Sequence, residues 1–198
     1  MMIGESGSSH PNPELKLDPS IGEDIHVLTN YGMSIDRVLA EDRPAEEVTH
    51  VVHGYLKQFE SLIEEREGLH SNSNMDALRI AGLSMSLGAI PDESVRDEII
   101  NEAVEGSILP KHSASELRLF LNEIHLNAFE HSRSSIELGD ALEEAIKKVE
   151  IIINRQRAQR EPEDLKLLLA AYWSAWQAAG ADGSLRYAIG RKIQKEFV

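Results

Sequence analysis

Residues 113–158, SASELRLFLNEIHLNAFEHSRSSIELGDALEEAIKKVEIIINRQRA, decide the fold. Ser113 to Glu116 is a capping box, a hydroxyl followed three residues later by a carboxylate. Leu117, Phe120, Leu121, Ile124 and Ala128 then recur at helical spacing. Ser134 to Glu137 is a second box, and it opens the stripe Leu138, Leu142, Ala145, Ile146, Val149, Ile152 and Ile153. Two amphipathic helices are thus written back to back, with no alternating pattern to compete with them.

The same reading extends in both directions. Glu161 and Pro162 separate this pair from a helix at 163–179, and Gly180 to Gly183 turns the chain into a last helix at 184–196. Upstream, Asp42 and Pro44 give a start signal for a helix running to Glu67, with Val48, Val52, Tyr55, Phe59 and Leu62 as its stripe. Ser71 to Asn74 is a polar break. A helix at 75–87 ends at Gly88, and Pro91 and Asp92 open the next, to Glu105. A helical stretch at 25–39 is interrupted near Asn30 to Gly32. Residues 1–20, rich in Ser, Gly, Pro and Asn, read as a flexible tail. The expected fold is all-α: a single helical bundle of six or seven helices over 42–198, behind a flexible or partner-folded region at 1–41.

The absence of cysteine excludes a disulfide scaffold, thiolate metal sites and a cysteine nucleophile. No apolar run approaches the ~18 residues of a membrane span, and the start lacks a cationic segment followed by an apolar one. Those patterns point to a cytoplasmic protein or one exported without a cleavable signal peptide. The net charge of −14 is uneven, with −16 over residues 1–140 and +2 over 141–198. Phosphate backbones and anionic lipid both need cationic contacts, so the expected partner is a protein, with a basic one favoured, rather than nucleic acid or membrane. Self-association is a further option.

The helix at 163–179 is apolar nearly all round, and it holds both tryptophans. Such a helix is either buried centrally or docked on a partner. Tyr172, Trp173 and Trp176 are accordingly the partner-binding candidates, with Arg155, Arg157 and Arg160 able to rim the site.

Four other patterns carry chemical alternatives. Glu123, Asn127, Ala128 and His131 read as E-x-x-x-N-A-x-x-H, which resembles the N-box of the ATPase domains of histidine kinases and anti-sigma-factor kinases. The resemblance spans nine residues. It implies a water-orienting role for Glu123 and a magnesium-holding role for Asn127. No D-x-G-x-G turn or glycine-rich lid follows. Glu47 to His50 and Glu67 to His70 have the E-x-x-H spacing of di-iron helices, but about 30 Å of helix separates them at ~1.5 Å per residue. Glu46, His50 and His53 fall on the polar side of their helix. His53 with Leu56 and Lys57 resembles the phosphotransfer histidines of helical proteins, with the spacing off by one and Gln58 in place of a small residue. Residues 75–105 have the length of a helix-turn-helix, yet the second helix would present Asp92, Glu93, Asp97 and Glu98 to DNA.

No complete catalytic motif is present, and no cofactor or metal is expected. The leading expectation is a non-enzymatic interaction or regulatory module, an adaptor or exported bacterial effector, that presents acidic helix faces and the Trp-bearing helix to a partner. The alternatives are a nucleotide-responsive protein centred on Glu123, Asn127 and His131, and a helix-turn-helix regulator using 75–105.

Overall fold

The structure is a computed structural model that describes residues 21–66, 72–109, 114–119, 121–123, 135–156, 162–180 and 182–197. Every regular element among them is a helix: α1 (Ile21–Ala40), α2 (Ala45–Glu65), α3 (Asn72–Ala89), α4 (Glu93–Glu105), α5 (residues 114–119 and 121–123), α6 (Ser135–Gln156), α7 (Pro162–Ala178) and α8 (Gly183–Phe197). None is long and apolar enough to cross a membrane.

The all-α class is therefore as expected, but eight helices stand where six or seven were anticipated. The difference lies at the N-terminal end. α1 runs straight through Asn30 to Gly32. Gly32 is needed there for contact rather than for a break: a Cβ would come within 2.6 Å of the Met85 methyl and of the Trp176 ring. Val27, Leu28, Tyr31, Ile35 and Val38 of α1 are buried in the common core. The boundary expected at 41/42 thus falls between two helices that share one core.

α3 and α7 form the most extensive contact. α1 and α2 pack on α3 and on each other, while α6 and α8 pack on α7. The order follows from sequence. α3 buries every residue from Ala81 to Leu87, and α7 every residue from Leu167 to Gln177, so neither has a polar face to give to water. Their contact is closed by hydroxyls: Ser84 Oγ donates to the Ala170 carbonyl at 3.3 Å and pairs with Ser174 Oγ. α2, by contrast, buries one stripe (Val48, Val52, Leu56, Phe59, Ile63) and exposes its charged side. Phe59 stacks on Tyr31, with ring centroids 4.4 Å apart, and lies where a side chain at Gly82 would have to go.

The helix ends have separate solutions. Pro44 itself occupies the N-cap of α2, and no side chain, that of Asp42 included, caps that helix. Asp92 Oδ1 caps α4, accepting from the Ser94 hydroxyl at 2.7 Å, the Ser94 amide at 2.9 Å and the Val95 amide at 3.4 Å, and these bonds, the hydroxyl's foremost, hold its carboxyl below the usual range. Gly180, at φ +60, follows α7. Ion pairs tie the outer helices together: Arg118 of α5 to Asp97 of α4 at 2.8 Å, and Lys148 of α6 to Glu123 of α5 at 3.2 Å.

Candidate ligand cavity

The aromatic residues of α7 turn inward. Tyr172, Trp173 and Trp176 keep only 6%, 2% and 8% of their surface exposed. The two indoles meet edge to face at 5.3 Å. Arg186 of α8 lies 4.0 Å above the Trp176 ring. Its Nη2 donates to Asp36 Oδ1 of α1 at 2.8 Å, and its Nε to the Trp176 carbonyl at 3.0 Å. That guanidinium closes the end of α7 and ties α1, α7 and α8 together. The three residues that the sequence offers as partner candidates, Tyr172, Trp173 and Trp176, are thus buried within the chain itself.

The remaining candidates separate in the same way. Glu123 makes its ion pair with Lys148, while Asn127 and His131 lie outside the described residues, which contain no strand. Glu46 and His50 are exposed, and Glu47 is held by Arg43. Glu67 and His70 lie outside the described residues, among which no three potential metal ligands come together. Of the helix-turn-helix candidate, α3 is buried without a break from Ile80 to Leu87. α4 directs Glu93, Glu98, Glu102 and Glu105 to solvent.

What the helices do create is a cavity of about 860 Å³ at one end of the α3–α7 contact. Asp36, Leu39 and Ala40 at the end of α1 line it, as do Arg43, Ala45 and Val48 around the start of α2. Met85, Gly88, Ala89, Ile90 and Pro91 come from the end of α3, with Arg96 of α4, Leu121 of α5 and Ser174, Gln177 and Ala178 of α7. Its origin is local. α1, α3 and α7 all terminate here, and Pro91 cannot continue α3. Ala40, Gly88, Ala89, Ala178 and Gly180 at those ends are too small to fill the space between them.

The polar groups of the wall are mostly committed. Asp36 is taken by Arg186 and by the Gln177 amide, which must present its Nε2 because a carboxylate can only accept. Gln177 Oε1 is then buried without a partner. Arg43 is bound by Glu41 and Glu47. Arg96 Nη1 donates to the carbonyls of Ile90 at 2.7 Å and Pro91 at 3.3 Å, and no carboxylate among the described residues pairs with it. A smaller hollow of about 340 Å³ lies beside α8, lined by Thr29, Trp173, Trp176, Arg186, Tyr187 and Arg191 among others.

Sequence reasoning missed the cavity. Its only signal was the small residues at three helix ends, Ala40, Gly88-Ala89 and Ala178 to Gly180, and nothing local shows that those ends converge. The chain matches no protein-family model, and comparison with curated proteins and with solved structures gives no significant match.

Proposed function

We propose that this chain is a non-enzymatic regulatory module that takes an apolar ligand into the cavity at the ends of α1, α3 and α7. The single observation behind this reading is the cavity itself. Its 860 Å³ lie beside the buried α3–α7 contact, and its size falls within the ~300–1,000 Å³ typical of ligand sites. Apolar groups dominate the wall, so burial of a hydrocarbon would drive binding. Helices α4 and α5 contribute Arg96 and Leu121 to that wall, so occupancy would bias the two elements that meet through Arg118 and Asp97. The test is saturable binding of an uncharged long-chain alcohol, followed by Trp173 and Trp176 emission and by thermal stabilisation of the chain. One site per chain supports the reading. A linear, unsaturable response with no thermal shift overturns it.

The second reading keeps a basic protein partner and moves its contact from α7 to the acidic side of α2 and α4. Glu60 favours it. Burial raises its carboxyl above the ordinary range, and the like charges of Glu64 and Glu102 add to the shift against Arg79 and Lys57. A cationic partner would relieve that repulsion, and charge-reversal of Glu64 and Glu102 would weaken capture of such a partner.

A further inference from the structure

We propose that the ligand of this cavity is an anionic amphiphile, an unbranched aliphatic chain carrying a carboxylate that Arg96 receives. The inference rests on the cavity reading above and adds the head group to it. Among the described residues three charged side chains stand in the wall, and two of them are spent. Asp36 is neutralised by Arg186, and Arg43 by Glu41 and Glu47. Arg96 is different. Its guanidinium is fixed against the wall by Nη1, through the carbonyls of Ile90 and Pro91, both of which also line the cavity.

Nε and Nη2 of Arg96 have no acceptor among the described residues. A guanidinium held on one side and open on the other is the geometry that takes a carboxylate through two parallel N–H bonds. Asp92, the acid whose carboxyl feels Arg96, gives its Oδ1 to the amides of Ser94 and Val95. The rest of the lining sets the other half of the ligand. Leu39, Val48, Met85, Ala89, Ile90 and Leu121 offer aliphatic contacts without a polar atom in their side chains beyond the Met85 sulfur. Among the described residues no aromatic ring lines the space to stack a flat ring system, so a flexible hydrocarbon chain suits the wall they form.

The experiment compares dodecanoate with dodecanol, below their aggregation limits, on the full chain and on Arg96→Gln. The expected result is tighter binding of dodecanoate. Arg96→Gln should weaken it roughly tenfold, as for loss of a charge-assisted pair, while dodecanol changes by less than about twofold. Ala89→Trp, which fills the cavity, should abolish both. Leu39→Trp, at a half-exposed rim position, repeats that test should Ala89→Trp lose its circular dichroism signature. Equal binding of acid and alcohol, unmoved by Arg96→Gln, overturns the head-group assignment and leaves the cavity reading standing. Failure of both probes on the folded chain, or binding that survives a folded Ala89→Trp or Leu39→Trp variant, overturns the two together.

Discussion

Between α3 and α7, small side chains bring two backbones together. At the ends of the same helices, side chains of the same size leave about 860 Å³ unfilled. Ala81, Ser84, Ala170, Ala171 and Ser174 are at most 4% exposed, and the Ser84 hydroxyl reaches across to the Ala170 carbonyl. Ala40, Ala45, Gly88, Ala89 and Ala178 stand at helix ends that meet around the cavity. Alanine is therefore a packing device where helices run alongside and a space-maker where they stop. The same substitution separates the two. Ala170→Leu should cost about 2–3 kcal/mol, because added methylenes must push the helices apart. Ala89→Leu should stay within about 1 kcal/mol of the parent or stabilise it, because it enters open volume. Urea unfolding of both variants gives the comparison, and equal losses would break it.

The hydroxyl pair sharpens the closed side. Ser84 has one proton and spends it on the Ala170 carbonyl, so Ser174 donates to Ser84. Ser84→Ala should then cost about 1–2 kcal/mol, since it strands a buried Ser174 hydroxyl. Removing both hydroxyls should cost no more than Ser84→Ala alone. A double-mutant cycle measures this directly, and strict additivity would mean that the pair contributes nothing as a pair.

How much of this was legible depended on whether the signal was local. The stripes of α2 and α6 were, because amphipathic spacing fixes a face: Val48, Val52, Phe59, Leu142, Ala145 and Ile146 are all buried. Leu62, read as part of the α2 stripe, is 40% exposed, and Ile63 is buried in its place. α7 offered two outcomes, a central position or a partner, and its neighbours decided for the first. α3 is buried all round from Ile80 to Leu87, but its end signals, Ser71 to Asn74 and Gly88, give its bounds and not its central place. Gly32 reads locally as a break, whereas its role is a close crossing that only the Met85 and Trp176 side chains packed against it reveal. The cavity was not legible at all, because convergence of three helix ends is a property of the tertiary arrangement. Glu123 was legible as a candidate, and its ion pair with Lys148 was not.

The smallest expected effect concerns the outer side of the comparison, where α2 faces α3 and α4. Glu60 is half-buried there, and its carboxyl is raised first by burial and then by Glu64, with Arg79 pulling the other way. The sign follows from linkage. A raised carboxyl binds its proton more tightly when folded, so it favours the folded state at low pH, and that contribution is lost as pH rises through the folded-state value. At neutral pH the folded chain therefore carries a charge it would be more stable without. Glu60→Gln should raise the melting temperature at pH 7, and the gain should shrink as the pH falls, vanishing below the ordinary glutamate value of about 4.3. Melting curves at several pH values between those limits measure it. A gain that does not depend on pH would trace to side-chain packing instead, and a loss at pH 7 would show that the attraction of Arg79 outweighs both burial and the neighbouring acids, making this surface a stabilising charge network rather than one that needs a cationic partner.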